Sequence, residues 1–105
     1  MGLRIRLSRQ TLAVLDALLV HPGQWQHGYS LSQRTGISSG TLYPILMRLE
    51  KQHWLETRWE EVKTPGRPPR HLYRLSGTAR EWAREELRAA QERHFWKPAA
   101  EEAKA

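Results

Sequence analysis

HGYSLSQRTGISSGTLYPILMRLEKQHW, residues 27–54, and KTPGRPPR, residues 63–70, decide the fold of this chain. The first stretch reads as two short helices joined by a tight turn. Tyr29 and Leu31 begin a helix after Gly28 that ends near Thr35-Gly36, where Gly36 suits the left-handed position that closes a helix. Ile37 then turns inward. Ser38 is an N-cap whose hydroxyl can accept from the backbone N–H of Gly40 or Thr41. Leu42, Ile45, Leu46 and Leu49 recur on one face of the second helix, its core face. Pro44 lies inside this helix, without an N–H and with its ring against the Gly40 carbonyl, so a small bend is predicted. The competing reading starts the helix at Pro44 itself.

Working outward, Leu55–Glu61 alternates, with Leu55, Thr57 and Trp59 on one side and Glu56, Arg58 and Glu60 on the other. His71–Leu75 alternates as well, so both runs read as strands. Pro65-Gly66 and Pro68-Pro69 cannot continue a sheet, and the loop between the strands forms a long hairpin tip. Upstream, Ser8 caps a first helix with Leu12, Leu15, Leu18 and Leu19 at helical spacing. Pro22-Gly23 ends it, and Trp25 in the loop that follows reads as a lid on the core or, better, as an anchor of that loop. Downstream, Ser76 caps a final helix with the apolar stripe Ala79, Trp82, Ala83, Leu87 and Ala90, predicted to run to about Trp96 before Pro98 stops it. This order is a winged helix-turn-helix followed by a C-terminal helix, a mainly α fold with a small β-hairpin (α+β). The organisation read from it is a winged helix-turn-helix over residues 1–75, a dimerisation helix over 76–97 and a flexible tail over 98–105.

Composition narrows the function. The 105 residues carry a net charge of +6, and residues 76–105 hold six basic and six acidic side chains. The whole excess therefore lies in residues 1–75, where it attracts polyanions. The absence of Cys removes disulfides and thiolate chemistry. The five His have no ligand-like pairing, and Asp16 is the only Asp. Glu60-Glu61 and Glu85-Glu86 are sequence neighbours, which point apart on a strand or a helix. No Gly-rich phosphate loop follows a strand. These features argue against an enzyme and give no metal or cofactor site. Leu12–Val20 is broken by Asp16 and too short to span a bilayer, so a soluble, cytoplasmic protein without a membrane partner is expected.

A fold of this kind places one helix in the major groove of double-stranded DNA and its hairpin along the neighbouring backbone or minor groove. Ser39, Gly40, Thr41 and Tyr43, at the start of the Ser38–Gln52 helix, are the candidate groove contacts. None is an Arg, Asn or Gln that reads a base with two hydrogen bonds, so DNA shape carries part of the selection. Tyr43 reads equally well as packing on the core. In the hairpin the candidates are Lys63, Arg67 and Arg70. Consecutive prolines keep the chain extended and present Arg67 to a narrow minor groove; the bland alternative is a stiff solvated loop. Arg4, Arg6, Arg9 and Arg34 read better as solvated than as phosphate contacts. Trp82 and Trp96 are fourteen residues apart and would share a helical face, which suits a symmetric contact between two copies.

The sequence resembles the PadR-family transcriptional regulators. The residues that carry the resemblance are His27-Gly28-Tyr29, Gly40-Thr41-Leu42-Tyr43-Pro44-Ile45-Leu46, Arg48-Leu49-Glu50, Trp54-Leu55, Gly66-Arg67-Pro68 and Tyr73-Arg74-Leu75, in the family's order over roughly residues 10–90. The resemblance implies a homodimeric repressor that binds an inverted repeat, with Ser38–Gln52 as recognition helix and Lys63–Arg70 as wing. It implies a dimer built from the first and last helices, through Leu12, Leu15, Trp82, Leu87, Ala90 and Trp96. It also suggests Phe95 and Trp96 as a stacking wall for a small aromatic effector at that interface; the alternative is dry dimer packing, with both residues partly exposed near a fraying helix end. His53 departs from the family pattern, which commonly has Gly there; His tolerates the left-handed region better than most residues. With one C-terminal helix the chain resembles the family's short type. The rival readings are a winged helix that binds a protein and a sequence-neutral DNA binder.

Overall fold

The side chain of Ser8 accepts from the Thr11 N–H at 3.1 Å and opens α1, Arg9–Val20. A computed structural model describes residues 7–98. After α1 come β1 (Gln26–His27), α2 (Gly28–Thr35), α3 (Ser39–Lys51), β2 (Leu55–Trp59), β3 (His71–Leu75) and α4 (Gly77–Glu92). The strands form one antiparallel sheet in the order β1-β3-β2. Leu12, Leu15 and Leu18 of α1, Leu31 of α2 and the four apolar residues of α3 fill a single core with Trp54, Tyr73, Leu75 and the small residues of α4. Among the described residues no helix is long and apolar enough to cross a membrane.

Strand β1 departs from the sequence reading, which runs a loop to Gln26. Two residues have no alternation to read. They become a strand because the open edge of β3 sets Gln26 opposite Tyr73 and His27 opposite Leu72. Trp25, just before it, lies on the outer face of the sheet between the guanidinium groups of Arg58 (4.6 Å) and Arg74 (4.3 Å). It anchors the loop, and cation–π attraction holds it there.

The turn between α2 and α3 follows the sequence. Gly36 has φ +73, and Ile37 is buried. The α3 start at Ser38–Ser39 holds, because the N–H groups of Thr41 and Leu42 bond the Ser38 carbonyl at 3.1 and 2.8 Å, so a turn has closed before Pro44. The Ser38 hydroxyl, however, makes no capping bond.

Helices α3 and α4 end in the same way. The His53 N–H bonds the Glu50 carbonyl and the Trp54 N–H that of Leu49; His94 bonds Gln91 and Phe95 bonds Ala90. This is the Schellman pattern, with His at the left-handed position (φ 65 and φ 59) and an aromatic residue turned back onto the helix. It stops α4 at Glu92, short of the expected end at Trp96, so Trp82 and Trp96 do not share a helical face. A left-handed His is strained relative to Gly, and the greater unfolded-state freedom of Gly offsets only part of that. His53→Gly should stabilise the fold by about 0.5–1 kcal/mol, read as a rise in melting temperature.

Candidate nucleic-acid interface

Helix α3 turns Ser39, Gly40 and Tyr43 outward, with Thr41 half-buried. Its first turn carries no acidic side chain, and its last holds Arg48 and Lys51. The unpaired backbone N–H groups of a helix N-terminus favour an anion, and here no carboxylate competes with one.

Tyr43 neither sinks into the core nor stands free. It is 39% exposed, and its phenol lies across Gly28 at the start of α2. A Cβ on Gly28 would come within 2.2 Å of the Tyr43 hydroxyl oxygen. The close approach ties the orientation of α3 to that of α2. Both residues are conspicuous in the sequence, but their contact is set by how the two helices cross.

At the wing, Lys63, Arg67 and Arg70 are exposed, as expected, but Arg67 does not simply project from the prolines. Its Nη2 donates to Glu60 Oε1 at 2.9 Å, and Arg70 Nε donates to the same oxygen at 3.2 Å. His27 Nε2 lies 3.0 Å from Glu60 Oε2. The His27 contact, then Arg67, holds the Glu60 carboxyl below the usual carboxylate range. Glu60 thus gathers both wing guanidinium groups, which retain 43 and 47% of their side-chain exposure. A phosphate that takes either one must compete with this carboxylate. Sequence reading places Glu60 only on the polar side of a strand. Its role as a hub follows from the hairpin register, in which the Glu60 N–H bonds the Arg70 carbonyl at 2.7 Å.

The wing is joined to α3 on its other face. Thr57 donates to Glu50 of α3 at 3.3 Å. The Tyr73 hydroxyl titrates above its ordinary value, chiefly through burial and then through the nearby Tyr43 and Glu50.

The residues expected between two copies divide. Leu12, Leu15, Leu87 and Ala90, which the sequence reading sets between two copies, are buried inside the protomer, because α1 and α4 pack on each other and into one core. Trp82 remains 42% exposed, with its ring 5.6 Å from Trp54. Phe95 and Trp96, beyond α4, line an open pocket of about 730 Å³ with Arg9, Ala13, Thr35 and Ile37. Arg9 lies over the Phe95 ring at 4.3 Å and donates to the Phe95 carbonyl at 2.8 Å. Arg34 is exposed; Arg4 and Arg6 lie outside the described residues, as does the tail from Ala99.

The model of the transcriptional regulator PadR-like family matches residues 18–85. No curated protein matches. Among solved structures, a protein from Streptococcus mutans UA159 is 25% identical, with a TM-score of 0.66 over 87% of this chain and 88% of that one. A PadR-like transcription factor from Bacteroides fragilis is 24% identical, with a TM-score of 0.64 over 82% of this chain and 86% of that one. The PcaV transcriptional regulator from Streptomyces coelicolor, solved with its natural ligand, is 26% identical, with a TM-score of 0.57 over 74% of this chain and 51% of that one.

Proposed function

The chain belongs to the PadR-like family of transcriptional regulators, and from that premise we propose that it is a homodimeric repressor of an inverted-repeat operator. Regulators of this family bind DNA and are not enzymes. The finer reading gives α3 the major groove, through Ser39, Gly40, Thr41 and Tyr43, and gives the wing the neighbouring backbone or minor groove, through Lys63, Arg67 and Arg70. A dimer would set two α3 helices in successive grooves, with half-sites about one helical turn apart. The exposed indole of Trp82 supports a contact between copies. The observation that carries the reading is the pair of accessible wing guanidinium groups on the same hairpin that is bonded to α3.

The pocket beside Phe95 and Trp96 supports a flat aromatic effector, with Arg9 and Lys97 favouring one that carries a negative charge. Its wall includes Thr35 at the end of α2 and Ile37 in the turn that leads into α3, so an occupant would touch the approach to that helix.

The test is a titration of the protein against the DNA upstream of its own gene and against a scrambled duplex, at two salt concentrations. Tight binding to the upstream DNA alone, at two chains per site, is the expected result. Equal, salt-sensitive binding to both would leave a sequence-neutral binder, and no binding at low salt would favour a protein partner. In the same assay, changing Arg67 and Arg70 together to Ala should weaken binding and flatten the log–log salt slope by about 2. An unchanged slope would remove the wing from the interface.

A further inference from the structure

Residues opposite each other on an antiparallel ladder point to the same face. Leu55 opposite Leu75, Thr57 opposite Tyr73 and Trp59 opposite His71 therefore make one row. Leu55, Tyr73 and Leu75 are in the core. The row runs on past the core and ends in the Trp59 ring stacked on His71, with centroids 4.6 Å apart and planes within 11°. The His71 ring is held in turn by Tyr73, whose hydroxyl lies 3.3 Å from Nδ1 and whose ring is 4.8 Å away.

Trp59 is thus fixed in orientation by a stack rooted in the core, yet it is 65% exposed. The fold gains little from a Trp at this point, since other strand-forming residues would continue β2 as well. Two features give the direction in which the ring faces. Thr57, two residues earlier on the same face, bonds Glu50, so this face looks toward α3. Glu60, the next residue, holds Arg67 and Arg70 on the opposite face of the hairpin, so the ring stands at the root of the wing, on the face turned toward α3. A surface between a recognition helix and a basic wing faces the sugar-phosphate strand that separates their grooves. A flat apolar ring held at a fixed angle there suits the deoxyribose of that strand.

We propose that the Trp59–His71 stack is a third DNA contact, which seats the indole against the deoxyribose of the strand between the helix and the wing. The proposal rests on the DNA-binding reading and adds a residue that neither α3 nor the wing tip supplies. The contact reads no base. It sets the angle at which α3 enters the groove.

The test compares Trp59→Ala and Trp59→Phe with the unaltered protein on one operator duplex at two salt concentrations, with thermal unfolding and sedimentation on the same samples. The expected result is an affinity about tenfold lower for Trp59→Ala. The salt slope should be unchanged, because no phosphate contact is lost, and Trp59→Phe should recover most of the affinity. Wild-type affinity in a folded Trp59→Ala protein would overturn the proposal. So would a loss of affinity that comes with a flatter salt slope, which would mean that Trp59 acts only through the wing guanidinium groups. Dissociation of dimers would reassign the ring to a contact between copies. If Trp59→Ala does not fold, Trp59→Leu on the same duplex decides: an affinity equal to wild type overturns the proposal. Failure of the unaltered protein to bind any duplex would instead remove the DNA-binding reading, before any variant is compared.

Discussion

Trp54→Ala should destabilise the protein by about 3–5 kcal/mol, the range for removing a large aromatic side chain from a core. A domain of this size has about 5–15 kcal/mol in total, and each kcal/mol moves its melting temperature by about 4–8 °C. The expected fall is therefore about 12 °C or more. The residue joins two helices. Its N–H bonds the Leu49 carbonyl and closes α3, its carbonyl accepts from the Ser76 N–H ahead of α4, and its ring is 1% exposed between them. Truncation leaves the backbone bonds in place and opens a cavity beside Trp82, whose ring is 5.6 Å away. Thermal or urea unfolding of the purified variant measures the effect. A fall of only a few degrees would mean that Trp82 collapses into the space, and then Trp54 would not be the joint between α3 and α4.

Gly28→Ala should cost about 1–3 kcal/mol, through overpacking against Tyr43. The new methyl would stand 2.2 Å from the Tyr43 oxygen and 2.7–2.8 Å from two ring carbons, so the whole phenol must swing away rather than its tip alone. Ala is the better helix former, and that offsets part of the loss. The distinguishing measurement is a double-mutant cycle. Tyr43→Ala removes the obstacle, so Gly28→Ala should become neutral or stabilising in that background, with a coupling of about 0.5–3 kcal/mol. DNA affinity should fall in Gly28→Ala, because displaced Tyr43 no longer holds α3 against α2. Additive effects in the cycle would show that the two residues do not meet.

These variants also separate what could be read along the chain from what could not. The caps at Ser8 and Ser76, the left-handed Gly36, the inward faces of α1 and α3, and the two main strands rest on local periods and local hydrogen bonds. Each depends on neighbours within a turn or two, which is why the sequence carries them openly. The left-handed His53 was legible through the family resemblance, in which Gly commonly stands at that position. The apolar spacing continues to Trp96, beyond the end of α4 at Glu92. The chain instead closes at His94 so that Phe95 can fold back on the helix, a choice made by packing against α1.

The sequence by itself determined a winged helix-turn-helix, the core face of its second helix and a basic hairpin tip. Only the tertiary structure decided that Glu60 gathers His27, Arg67 and Arg70, that Tyr43 rests on Gly28, that Leu12, Leu15, Leu87 and Ala90 are spent inside the protomer, and that Trp59 overhangs the core on a stacked His71. The physical reason is range. Caps and amphipathic periods are set by residues a few positions apart, whereas these contacts join residues brought together by strand register and helix crossing. Neither quantity has a local signature, and both are set by how the whole core closes.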